Sequence, residues 1–164
     1  MGNKIAVSNT GPIIHLKEID LLTVLNIFDK IIIPTEVKNE LMEHKIREIE
    51  NFEVVNIKQQ FNDLSSIIVN KFSLDLGEAE AIALAVQEKA IYFLTDDLDA
   101  RNVAKSYGIE SHGTVGIISR AYREKIVDKK TAIDKVKELY KKSSLFITKN
   151  IIDYIINEIE RFEK

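Results

Sequence analysis

The stretch LDLGEAEAIALAVQEKAIYFLTDDLDAR, residues 74–101, decides the fold. Residues 79–86 are apolar on nearly every side, which predicts a helix buried between other elements. Residues 91–94 predict a short buried strand. Asp75 is a suitable N-cap for the helix, and Glu78 three residues later completes the pattern of a capping box. Acidic residues therefore stand at both ends of an apolar helix–strand unit, where burial disfavours them.

Strand-like and helix-like segments alternate on both sides of this unit. The predicted strands are residues 4–8, 30–34, 53–57, 91–94 and 109–111. The alternation predicts an α/β fold, a three-layer α/β/α sandwich around a mainly parallel sheet. Within it, Asp20 is predicted to cap a short helix at residues 21–28. Right-handed crossovers would bring the carboxyl ends of the strands to one edge, where Asn9 and Asp96 both lie.

The domain organisation follows from the length and from the last third of the chain. The 164 residues suit one domain of ordinary size, which we predict at residues 1–125. Helical patterns at residues 131–141 and 150–162 predict a helical C-terminal extension at residues 126–164. The extension is expected to pack on or beside the domain, to form a dimer, or to contact a partner.

Composition limits the location of the protein. It is 45% hydrophobic and 30% charged, which is typical of globular domains, and it contains no cysteine. Disulfides and thiolate metal sites are therefore excluded, and a cytoplasmic location is expected. No apolar run approaches the roughly 20 residues that a membrane span requires, and the N-terminus lacks the pattern of a signal peptide. We accordingly expect no association with a membrane.

Charge is distributed unevenly along the chain. Residues 120–164 contain 12 Lys and Arg against 8 Asp and Glu, whereas the remaining residues contain 11 against 18. A mildly basic flank beside an acidic cleft could hold a nucleic-acid backbone. The alternative interpretation is a solvated, lysine-rich helical surface, which charge alone favours.

Several acids could form a site at the predicted sheet edge. The candidates are Glu40, Glu78, Glu80, Asp96, Asp97 and Asp99. Carboxylates are the ligands of hard divalent cations such as Mg²⁺ and Mn²⁺, and an ion relieves the repulsion between clustered acids. Each candidate also has a structural interpretation. Glu78 could only close the capping box, Glu80 could lie at the helix rim, and either Asp96 or Asp97 could simply cap the next helix. Glu40, with Glu36 and Glu43, could belong to a solvated helix face.

Five motifs in a fixed order resemble a known family. They are SNTGPIIHL at residues 8–16, Ile33-Pro34 followed by Val37 and Glu40-Leu41, GEAEAIALA at residues 77–85, LTDD at residues 94–97 with Ala100-Arg101, and GTVG at residues 113–116. Together they are similar to PIN domains, in particular to PIN-like proteins of archaea and bacteria that are related to VapC-type toxins. The resemblance covers residues 4–123.

The resemblance implies an activity, a cofactor and partners. It implies an endoribonuclease that depends on Mg²⁺ or Mn²⁺, that forms homodimers and, as a toxin, binds a small antitoxin-like protein. By position, the four metal-binding and catalytic residues fall on Asn9, Glu40, Glu78 and Asp96. Glu80 is an alternative to Glu78 in this series, and Asp97 is an additional metal ligand beside Asp96.

Asn9 departs from the family pattern, which has Asp at this position. An amide oxygen can bind a cation, but it carries no negative charge and cannot act as a base. Three interpretations follow. The chain is a weakened ribonuclease, a catalytically silent PIN fold that binds RNA or protein, or a chain mutated at its site.

Overall fold

The computed structural model describes residues 2–47 and 49–162. Its centre is a five-stranded sheet with the strand order β3-β2-β1-β4-β5, and every neighbouring pair is parallel. The strands are β1 (Ile5–Ser8), β2 (Lys30–Ile33), β3 (Phe52–Val54), β4 (Tyr92–Leu94) and β5 (Glu110–His112). The predicted α/β sandwich around a parallel sheet is confirmed.

Eight α-helices and one 3₁₀ helix accompany these strands in the part of the chain that the structure describes. They are α1 (Thr10–Glu18), the 3₁₀ helix (Leu22–Ile27), α2 (Thr35–Glu43), α3 (Gln59–Phe72), α4 (Leu76–Gln87), α5 (Leu98–Ser106), α6 (Thr114–Arg123), α7 (Lys129–Lys142) and α8 (Lys149–Arg161). Between residues 2 and 162, with residue 48 left aside, no helix combines the length and apolarity that would cross a membrane.

The sheet separates two hydrophobic cores, because successive side chains of a strand point to opposite faces. Ala6 of β1 and Leu94 of β4 belong to the core that α1, the 3₁₀ helix, α2, α6, α7 and α8 cover. Val7 and Phe93, one residue away, belong to the core beneath α3, α4 and α5. The alanines of α4 let it pack closely in that second core, as its apolar sequence predicts.

The C-terminal helices share the first core. Val136 and Leu139 of α7 are fully buried in it, together with Ile152 and Ile159 of α8, which are almost fully buried. The helical C-terminal region is therefore confirmed, and it packs on the same sheet face as α1 and α6. The boundary after residue 125 stays a prediction.

One helix start differs from the sequence prediction. Asp20 does not cap the following helix, because Leu21 occupies the N-cap position there and makes no side-chain cap bond. Asp20 instead adopts a left-handed conformation, with φ of 51°, directly after Ile19, the C-cap of α1. A short polar residue tolerates this region better than most, so Asp20 ends one helix rather than beginning the next.

The strand order contains a switch point between β1 and β4. The chain runs from β1 outward through β2 to β3, and then returns to place β4 on the other side of β1. Ligands of open α/β sheets bind in the crevice at the carboxyl ends of strands beside such a switch. Ser8 pairs with Leu94 at these ends, so the residues that follow both strands share one crevice.

Candidate functional site

Asn9 lies at the switch point, directly after β1. Its backbone N–H donates to the carbonyl of Leu94 at 2.9 Å, which ties it to the end of β4. Its side-chain Oδ1 accepts from the backbone N–H of Thr10 at 2.8 Å, and Asn9 is thereby the N-cap of α1. The predicted first ligand is thus half-buried in the crevice and already acts as a helix cap.

Glu40 reaches the same crevice from α2. The hydroxyl of Thr10 donates a short hydrogen bond to its Oε2. A Cβ built on Gly77 would stand 2.9 Å from its Oε1, so the Glu40 carboxylate lies against the first turn of α4. The positive end of a helix dipole favours an anion there. Glu40 is therefore half-buried between three helices, and the interpretation as a solvated face holds for the exposed Glu43 alone.

Glu78 occupies the first turn of α4 beside this carboxylate. The predicted capping box is confirmed, since the Asp75 side chain accepts from the Glu78 N–H at 2.8 Å and Oε2 of Glu78 accepts from the Asp75 N–H at 3.1 Å. Burial, with the nearby charges of Asp75, Asp97 and Glu40, raises the pKa of Glu78 to about 7. Glu78 therefore closes the capping box and also belongs to a cluster of acids.

Glu80, the alternative third acid, has different neighbours. Burial and the charge of Glu36 raise its pKa, and no interaction with Glu40 or Asp97 contributes to that shift. Two residues along a helix turn the side chain by about 200°, so Glu78 and Glu80 face apart. The structure therefore favours Glu78 as the acid that faces Glu40.

Asp96, whose side chain is 11% exposed, is held by several donors directly after β4. Its Oδ2 accepts from His15 Nδ1 at 2.7 Å and from the Thr114 hydroxyl at 2.6 Å, and its Oδ1 accepts from the Thr114 N–H at 2.7 Å. The Arg101 guanidinium lies 3.8 Å from Oδ1. Burial acts to raise the pKa of Asp96, but the bonds from His15 and Thr114 outweigh it and lower that pKa. Asp96 therefore joins α1, α5 and the start of α6.

Asp97 differs from its neighbour in exposure and orientation. It is exposed, and its Oδ1 accepts from the N–H of Ala100 at 2.7 Å, so it is the residue that caps α5. Its charge also contributes to the raised pKa of Glu78. Glu78 thus interacts electrostatically with both Glu40 and Asp97, while His15 and Thr114 donate to the Asp96 oxygens.

Sequence reasoning missed four residues that arrange this crevice. Thr10 and Thr114 donate to the acids, and His15 fixes Asp96, although an isolated histidine on a helix is typical of a packed residue. Gly113 leaves room, because an added Cβ would lie 1.8 Å from Nη2 of Arg101. All four residues stand within the quoted motifs, which indicated where they lie in the sequence but not which side chains they contact.

An α/β sandwich with polar residues gathered at the switch point of a parallel sheet defines a class of domains that bind ligands at this edge. A family model described as a PIN domain matches residues 5–161, nearly the whole chain, and the chain therefore belongs to the PIN-domain family. The family carries a nuclease-type fold, and the resemblance seen in the sequence motifs is confirmed. A search of curated proteins gave no match.

Proposed function

We propose that the protein is an endoribonuclease that depends on Mg²⁺ or Mn²⁺ and acts at the carboxyl edge of the sheet. The observation that supports this most is that the Glu40 carboxylate lies against the first turn of α4, where a Cβ on Gly77 would stand 2.9 Å from its Oε1, and that burial and the neighbouring acids raise the pKa of Glu78 in the same turn. Like charges gathered in a half-buried crevice are unfavourable unless a proton or a cation neutralises them, and a cation can neutralise several of them at once. Membership of the PIN-domain family adds the nuclease-type fold.

The donor atoms suit a hard cation. Asn9 offers an amide oxygen, and Glu40, Glu78 and Asp97 offer carboxylates, which are the ligand types of Mg²⁺ and Mn²⁺. Among residues 2–47 and 49–162, no three His, Cys, Asp or Glu side chains form a ready-made metal cluster. Mg²⁺ usually takes only one or two protein carboxylates and completes its shell with waters and substrate phosphates. The donor set therefore fits the ion by its chemistry.

The proposed roles follow from the contacts of each side chain. Thr10 orients Glu40, the capping box orients Glu78, and the cap of α5 orients Asp97. When bound, the ion would stabilise charge on the phosphoryl oxygens and lower the pKa of a water. We assign Asp96 the task of positioning, because donors already occupy its oxygens.

Cleavage of a single-stranded RNA oligonucleotide in Mn²⁺ tests the proposal. Glu40→Gln keeps the size of the side chain and removes its charge, and we expect activity to fall by about a hundredfold or more, the scale of losing charge stabilisation in a transition state. Glu43→Gln, on the same helix but exposed, is the matched control and should keep full activity. Equal cleavage by wild type and Glu40→Gln, or cleavage that persists in EDTA, would refute the proposal.

Asn9 supports a second candidate function, a silent module that binds RNA or protein. Its amide contributes no charge, and its Oδ1 already accepts from Thr10. Asn9→Asp separates the two functions. We expect a weakened enzyme to gain at least about tenfold in cleavage, because a fourth negative charge tightens cation binding. If neither the wild type nor Asn9→Asp cleaves RNA, the silent module is the correct function.

The family resemblance also supports proposals about partners and location. We propose that the protein acts in the cytoplasm, as a homodimer, and that a small antitoxin-like protein is its partner if it is a toxin. The absence of cysteine agrees with a reducing compartment. Light scattering of the purified protein tests the dimer. Expression of the protein in a host cell tests the toxin proposal. Growth should stop, and co-expression of the small antitoxin-like partner should restore it.

A further inference from the structure

A cavity of about 350 Å³ opens beside the acidic crevice. It lies between the start of α5, the turn from β5 into α6, and the segment that joins α7 to α8. Asp96 and Arg101 line it, and the side chains of these two residues lie 3.8 Å apart at the end of β4. A molecule in this cavity would therefore be a direct neighbour of the proposed cleavage site.

The mouth of the cavity carries unusually exposed apolar side chains. Phe146 is 94% exposed and Leu98 is 69% exposed, and Ile151 stands beside them at 48%. Monomeric proteins rarely expose several large apolar side chains in one patch. Such a patch therefore indicates a binding surface. The flat ring of Phe146 in particular offers a platform on which another ring can stack.

The wall of the cavity adds a polar side chain. The Arg101 guanidinium, held by a bond from its Nε to the Thr95 carbonyl at 3.0 Å, supplies a positive charge and a second flat surface. Ser111 also stands in the wall, but its hydroxyl oxygen is buried and therefore does not reach a ligand in the open cavity.

An exposed aromatic ring and an arginine plane are surfaces on which proteins stack unpaired RNA bases. The volume suits one small ring system, whereas a protein partner would need a far larger contact face. We propose that this cavity is a nucleobase subsite, which takes one unpaired base next to the phosphate that reaches the acidic crevice. This proposal rests on the proposed ribonuclease function. The subsite would help to determine which RNA substrates the enzyme selects.

Fluorescence of a short single-stranded RNA that carries one 2-aminopurine tests the subsite without cleavage. In EDTA, and again in Ca²⁺, we expect wild-type protein to quench the fluorescence by stacking. Phe146→Ala should weaken binding about tenfold, the lower part of the range for loss of one stacked base. Phe146→Leu should do the same, because leucine keeps the apolar area and loses the ring. Tyr140→Ala removes an exposed aromatic of α7 outside the cavity and should bind as wild type does.

The outcomes separate this proposal from the ribonuclease proposal. Quenching that depends on Phe146, without cleavage in Mn²⁺, would support the subsite and refute the nuclease. Cleavage without quenching in either buffer, or quenching that survives in Phe146→Ala, would overturn the subsite. Light scattering gives a further check. If the wild type is a dimer that Phe146→Ala dissociates while base quenching is unchanged, the patch is a protein contact and the subsite proposal is wrong.

Discussion

Replacing Glu78 with glutamine should stabilise the protein at alkaline pH and leave it unchanged at acidic pH. Burial and the charges of Asp75, Asp97 and Glu40 raise the pKa of Glu78 from its ordinary value of 4.5 to about 7. Between these values the folded protein holds a proton that the unfolded chain has released. The free energy of unfolding contributed by Glu78 therefore falls as pH rises through this window. Glutamine has no charge, but its side-chain oxygen can still accept the hydrogen bond of the capping box.

The magnitude follows from the difference between the two pKa values. Fully expressed, that difference corresponds to about 3 kcal/mol. Because the side chain is only half-buried, solvent screens its charge, and we expect about 1–2 kcal/mol at pH 8. Below pH 4.5 both forms of the folded protein are neutral at this position, so the wild type and the variant should have nearly equal stability.

Urea unfolding at intervals from pH 4 to pH 8 measures this difference. Glu43→Gln, an exposed site on α2, is the control and should follow the wild-type curve. Mn²⁺ at tenfold its dissociation constant should add about 1.4 kcal/mol to the wild type at pH 8 and much less to Glu78→Gln. Parallel curves for wild type and Glu78→Gln across the whole pH range would refute the reasoning.

Two further substitutions test the crevice and the C-terminal helices. Gly77→Ala should leave the free energy of unfolding within about 1 kcal/mol, because alanine favours a helix, but its methyl group would displace the Glu40 carboxylate and lower RNA cleavage at least about tenfold. If the Gly77→Ala variant folds and still cleaves RNA, cleavage does not depend on where the Glu40 carboxylate lies. Ile152→Ala should destabilise the whole protein in one transition by about 2–5 kcal/mol in urea, because α8 shares the first core. A separate early transition of the C-terminal helices would contradict a shared core.

Much of the fold could be predicted from the sequence because local signals were strong. The buried helix at residues 79–86 and the capping box of Asp75 and Glu78 were predicted correctly, since the apolar pattern and cap chemistry act within a few residues. The prediction that Asp20 caps the following helix was wrong for a related reason. The same short polar side chain suits a helix start and a left-handed helix end, and only the surrounding chain decides between them.

The candidate site was predictable in location but not in orientation. The sequence placed Asn9 and Asp96 after parallel strands, and such ends meet at one edge by the handedness of the crossovers. It could not distinguish Glu78 from Glu80 or Asp96 from Asp97, because each pair is only one or two residues apart. The members of each pair differ in their neighbours on other elements. Glu36 stands beside Glu80, whereas His15 and Thr114 hold Asp96.

The sequence by itself determined the parallel α/β architecture, the PIN-domain resemblance, and the set of acids from residues 74–101. Tertiary structure alone decided which of those acids face one another and placed the exposed ring of Phe146 beside a cavity that Asp96 and Arg101 share. The physical reason is the range of the interactions. Propensity and capping act along the chain, whereas burial, pKa and cavity shape depend on side chains that are distant in sequence and meet only when the sheet has formed.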